Sequence, residues 1–125
     1  MSQPIVMFVD DSETALASTK IATQNLPIDV KQYISAGDAL ADINAGIIPN
    51  LIITDLNMPV MNGLEMSKLI KEKFPNTPIV VSSAFGESKY LLEAIKIGIT
   101  DYLIKPICID KMLVSIDKIL KQVYN

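Results

Sequence analysis

Histidine and arginine are both absent from this 125-residue chain, as is tryptophan, and there is a single cysteine. The lack of histidine removes serine–histidine triads, the imidazole general base and most catalytic zinc sites together. The lack of arginine matters for nucleic acids, where guanidinium groups read bases and a basic stripe follows the backbone. All eleven basic residues are lysines, set against fourteen acidic ones for a net charge of −3, so direct DNA or RNA binding is not expected. Cys108 has no partner within the chain, which suits a reducing compartment; it is expected to serve as a small hydrophobe at the start of the last helix. No apolar run approaches a membrane span, and Met1–Asp11 lacks the basic and long apolar regions of a secretory signal. The expectation is a cytoplasmic protein with no membrane insertion. Half the residues are apolar and a fifth are charged, which excludes a disordered chain. The length suits one domain, residues 1–125.

What is present is an alternation of two periodicities. Ile5–Val9, Leu51–Thr54 and Pro78–Ser82 are short β-branched runs, apolar on both faces, as central strands of a parallel sheet must be. Val30–Ile34 is mixed, as on an edge, and Asp101–Ile104 is a fifth candidate. Helical stripes lie between them: Leu40, Ile43 and Ile47; Met66, Leu69, Ile70 and Phe74; Leu91, Ala94 and Ile95; Met112, Ile116, Ile119, Leu120 and Val123. A weaker pattern from Ser12 to Leu26 relies on Leu16, Ile21 and Ala22. Lys68, Lys71 and Lys73 read as a solvated helix face. The pattern predicts an α/β fold: a single (βα)5 unit, doubly wound around an open parallel sheet.

In such sheets the site lies beyond the carboxyl ends of the strands. Strand one ends in Asp10-Asp11, strand three in Asp55, strand four in Ser82-Ser83-Ala84 and strand five in Lys105-Pro106. Any one of these alone reads as a helix cap or an ordinary turn. Four strands delivering matching chemistry to one rim is a far less probable coincidence. Clustered carboxylates need a cation, and an oxygen-only set with spare positions suits Mg2+. With a lysine and a hydroxyl beside them, the set meets what a transferring phosphoryl group requires. A carboxylate can also be the nucleophile, giving an aspartyl phosphate.

Val9-Asp10-Asp11-Ser12, Asp55-Leu56-Asn57-Met58-Pro59 with Gly63, Ser83-Ala84, and Tyr102 three residues before Lys105-Pro106 occur in that order. Taken together they resemble the receiver domain of two-component response regulators, the chemotaxis-protein type. The resemblance implies a flavodoxin-like strand order, 2-1-3-4-5. It implies that Asp55 accepts the phosphoryl group, with Ser83 and Lys105 contacting it. Asp10, Asp11, Asp55 and the carbonyl of Asn57 would hold Mg2+. Tyr102 would turn inward as Ser83 is drawn to the phosphoryl group, and Pro106 would follow a cis peptide. Asn57 and Phe85 lie where the family tunes phosphoryl loss.

The function implied is a phosphorylation-activated signalling switch, not an enzyme with an independent substrate. The chain would receive phosphate from a histidine kinase or a histidine phosphotransfer protein. It would signal to a downstream target or a fused effector domain, through exposed positions of 88–97 and 110–123 such as Lys89, Tyr90 and Glu93. Both a stand-alone regulator and the receiver module of a larger regulator or hybrid kinase fit. A flavodoxin would meet repulsion between Asp10-Asp11 and the FMN phosphate. An aspartate-nucleophile phosphatase would need a titratable group where Asn57 stands. An EF-hand fails at Pro59 and Val60.

Overall fold

The computed structural model describes residues 3–84 and 88–124; Phe85 and the side chain of Val123 lie outside the described residues. Five strands and five helices alternate: β1 Ile5–Val9, α1 Glu13–Thr23, β2 Asp29–Tyr33, α2 Ala36–Asn44, β3 Leu51–Asp55, α3 Gly63–Lys73, β4 Ile79–Ala84, α4 Ser88–Ile97, β5 Asp101–Lys105 and α5 Ile109–Tyr124. The strands are parallel and ordered β2-β1-β3-β4-β5, the order the resemblance implies. Among the described residues no helix is long and apolar enough to cross a membrane.

The three central strands are buried on both faces along most of their length, which is why Val, Ile, Leu, Met and Phe fill them up to Thr54-Asp55 in β3 and Ser82-Ser83-Ala84 in β4. Alternate side chains feed two cores. Met7, Val9, Ile52 and Val81 pack with Ala39, Ile43, Met66, Ile70 and Ala94 on one face. Val6, Phe8, Ile53, Val80 and Leu103 pack with Leu16, Met112, Ile116 and Ile119 on the other.

Polar caps set where the helices begin. The Ser12 hydroxyl accepts from Ala15 N, the Ser35 hydroxyl accepts from Asp38 N, and Asn62 with Glu65 forms a reciprocal capping box. Gly46, at φ 111°, closes α2: its N–H donates to Ile43 O while Ile47 N donates to Asp42 O. Ile47 therefore lies beyond the helix, although it still packs on the core.

Several apolar positions depart from expectation. Ile21 is exposed, and the inward face of α1 is carried by Leu16, Thr19 and Thr23. Both threonine hydroxyls donate to carbonyls one turn back, at Leu16 and Thr19, which lets them be buried without an unmet donor. Leu69 and Ile95 are also exposed, at the margins of stripes whose centres are buried. Cys108 is exposed; its carbonyl accepts from Met112 N at the start of α5. Lys71 is no solvated lysine either. Its ammonium donates to Pro75 O (3.3 Å) and Thr77 O (2.7 Å), holding the chain where it leaves α3, and burial lowers its pKa.

Candidate functional site

The carboxyl ends of β1, β3, β4 and β5 meet at one edge of the sheet. Backbone pairing fixes their relative heights: Val9 pairs with Thr54, Asp55 with Ser82 and Ala84 with Lys105. Asp10 continues β1 by donating its N–H to Tyr33 O at 3.0 Å. Residues 45 positions apart in sequence are thereby brought side by side. Asp10, Asp11 and Asp55 each offer a carboxylate oxygen, all within 4.8 Å of one another.

Their surroundings differ. Asp10 and Asp55 are buried, at 7% and 4% exposure, whereas Asp11 is exposed. Asp10 accepts from Ser12 N at 2.9 Å, and Asp55 accepts from Asn57 N at 3.3 Å. Lys105 reaches across from β5 and pairs with Asp55 Oδ2 at 2.8 Å. The Lys105–Pro106 peptide is cis, as the resemblance implies. Ser83 is buried at the end of β4, and Asn57 is exposed in the β3–α3 loop. Tyr102 is 46% exposed on β5, directed away from the enclosed core. Asp10, Asp11, Asp55, Lys105 and Asn57 thus form one group, Ser83 lies at the end of β4 with its side chain on the other face of the sheet from Asp55, and Tyr102 stands apart.

Burial and the neighbouring charges shift the titration of this group. Burial above all pushes the Asp10 carboxyl above its usual range; Asp55 and Asp11 add to the rise, while Ser12 N–H and Lys105 offset part of it. For Lys105, burial pulls the ammonium down, but its hydrogen bond to Asp55 and the charges of Asp55, Asp10 and Asp11 outweigh that and leave it raised. Oxygen donors alone, more negative charge than one lysine neutralises, and two of three carboxylates withdrawn from water together fit a hard divalent cation.

The raised Asp10 carboxyl makes a prediction about the metal-free fold. A group whose pKa is raised by folding favours the folded state when protonated. That stability is present in acid and is lost as pH rises from the ordinary carboxylate range through the raised value. Asp10→Asn, which keeps an acceptor for Ser12 N–H, is expected to stabilise the protein by about 1 kcal/mol at pH 7. The gain should shrink toward pH 4. Urea unfolding in EDTA at both pH values checks this, and a gain independent of pH would contradict the assignment.

Two contributors were not legible in the sequence as such. Gly63 appears there only as part of a motif, yet it begins α3 against the backbone of Asp55. Ser82 stands beside Ser83 in the sequence with no role assigned to it, yet strand alternation puts the two on opposite faces of β4 and Ser82 on that of Asp55.

The family model of the response regulator receiver domain matches residues 6–117. Chemotaxis protein CheY of Thermotoga maritima is 28% identical over 116 residues, covering 93% of this chain and 97% of that protein. Regulatory protein LuxO of Vibrio cholerae is 32% identical over 114 residues, which cover 91% of this chain and 25% of LuxO. The chain thus spans about a quarter of the length of the LuxO proteins it matches. Among solved structures, the signal receiver domain of a putative LuxO repressor protein from Vibrio parahaemolyticus superimposes with a TM-score of 0.88 at 29% identity, covering 96% of this chain and 92% of that one.

Proposed function

The chain belongs to the response regulator receiver domain family, and from that premise we propose that Asp55 is its phosphoryl acceptor. The observation that carries this reading is the grouping of Asp10, Asp11 and Asp55 within 4.8 Å, with Lys105 at 2.8 Å from Asp55 Oδ2. A carboxylate oxygen of Asp55 attacks the phosphorus of a partner's phosphohistidine. The new O–P bond forms as the P–N bond breaks, and the imidazole leaves with that electron pair.

Asp10, Asp11, Asp55 and the Asn57 carbonyl would hold Mg2+, which neutralises phosphoryl charge when bound. Lys105 already sits against the acceptor, so its ammonium can follow the negative charge from the carboxylate to the phosphoryl oxygens. Ser83 supplies a hydroxyl donor, and Tyr102, half-exposed beforehand, is the side chain free to change position.

The phosphodonor is a histidine kinase or a histidine phosphotransfer protein, since the chain has no histidine of its own. The output is a changed surface on α4, β5 and α5, where Lys89, Tyr90, Glu93, Tyr102 and Val114 are exposed. A target protein or a fused effector domain would read that surface.

The test is intact mass after incubation with acetyl phosphate, with and without Mg2+. A single hydroxylamine-labile adduct that requires the metal is expected; no adduct under any metal or donor concentration would remove the reading. Removing Asp11 should weaken Mg2+ binding by about tenfold or more, since even partners of metal ligands cost that much. Titration of Asp11→Ala with wild-type affinity would withdraw Asp11 from the metal set.

A further inference from the structure

Beneath the acceptor lies a cavity of about 10 Å³, between the sheet and α1. Its polar wall includes Asp10, Asp55, Ser82 and Thr19, whose hydroxyl already donates to Leu16 O and accepts from Gln32, and its apolar wall includes Phe8, Leu16 and Ile53. Ser82 pairs in register with Asp55, so the two side chains share a face of the sheet. That face is the α1/α5 side, because Ile53 and Val80, two residues earlier in each strand, belong to its core. Ser82 is 2% exposed. Its carbonyl accepts from Leu56 N at 2.8 Å, while its hydroxyl has no protein partner among the described residues.

The volume admits about one water, and a buried water persists where two to four polar groups meet it. The hydrogen-bonding count closes for one molecule. Ionised Asp10 and Asp55 only accept, and a hydroxyl can donate. A water here donates one hydrogen to each carboxylate and accepts from Ser82 O–H. Two repelling carboxylates thereby gain a shared donor besides Lys105.

Resting on the reading of Asp55 as acceptor, we propose that this cavity holds one ordered water and that Ser82, through it, is a positioning residue for the Asp55 carboxylate. Ser83, on the opposite face, has a separate role toward the phosphoryl group.

An atomic-resolution crystal structure of the wild-type chain tests the site itself. Ordered water within hydrogen-bond distance of Ser82 Oγ and both carboxylates is expected, and its displacement in Ser82→Val, whose branched side chain fills the space. The kinetic test measures adduct formation from acetyl phosphate in Ser82→Ala and Ser82→Val. Loss of one such hydrogen bond should slow the maximal rate by about 3- to 10-fold, with the donor concentration for half-maximal rate unchanged. A merely structural serine would shift the melting temperature and leave that rate alone. A dry cavity in the wild type, or variants phosphorylated at the wild-type maximal rate, overturns the proposal. A wild type that takes up no phosphoryl group refutes the Asp55 reading instead, and the crystal structure still decides whether the water site exists.

Discussion

Asp55→Asn is expected to abolish phosphoryl uptake completely while the protein stays folded. The amide keeps the size of the carboxylate and its acceptor oxygen for Asn57 N–H, but it is a far poorer nucleophile toward phosphorus. The effects on the fold oppose each other. Lys105 loses its ion-pair partner at 2.8 Å, which destabilises a half-buried ammonium. Asp10 and Asp11 lose a repelling neighbour, which stabilises them. Net stability should therefore stay within about 1 kcal/mol of wild type. Intact mass after acetyl phosphate with Mg2+ gives the first answer and urea unfolding the second. An adduct at wild-type level in the variant would move the acceptor to another residue.

Gly63→Ala should be nearly as damaging, although the residue carries no chemistry. A Cβ built there collides with the Asp55 carbonyl oxygen and meets the Leu56 Cα at 3.0 Å and the Asp55 carbonyl carbon at 3.1 Å. All three are backbone atoms, so no side chain can swing aside. Gly63 N also donates to Leu56 O at 2.9 Å, which pins the close approach in place. Space, not an unusual φ, makes glycine necessary at this helix position. Alanine would favour the helix by up to about 1 kcal/mol, but overpacking against fixed backbone costs about 1–3 kcal/mol. The collision is with the acceptor's own peptide unit, so relief must displace Asp55. A displacement of about 1 Å can cost on the order of a hundredfold in rate. Thermal unfolding and the rate of adduct formation should fall together. A variant as stable and as reactive as wild type would show that the loop yields without moving Asp55.

The sheet and the charged rim were legible in the sequence for a common reason. A central parallel strand must be apolar on both sides, so Ile5–Val9 and Leu51–Thr54 announce themselves, and the polar residue that ends each run lands at the sheet edge. Asp10, Asp11 and Asp55 follow directly from that rule. Strand ends were less well defined: β2 begins one residue earlier than expected, at Asp29, and β4 continues to Ala84. Backbone pairing with a neighbour, not side-chain type, decides those limits. Other features depend on contacts that no periodicity encodes. Thr19 and Thr23 are buried because their hydroxyls bond within α1. Lys71 is drawn inward by the carbonyls of Pro75 and Thr77. The closeness of Gly63 to Asp55 exists only once the β3–α3 loop has folded back.

The ion pair between Asp55 and Lys105 joins strands that are not neighbours, since β4 lies between β3 and β5. It is a strap over the end of β4, tying an edge strand to the centre of the sheet. Edge strands ordinarily open on their own, at a lower free energy than the central strands beside them. Here the end of β5 cannot open alone without leaving the Asp55 carboxylate buried and unpaired. Slow amide exchange at Ile104 and Lys105 would then track the charge on residue 55. Under the proposed phosphorylation of Asp55, that charge would move outward onto the phosphoryl oxygens, Lys105 would have to follow it to keep the strap, and the change would be felt first along β5, the strand that carries Tyr102.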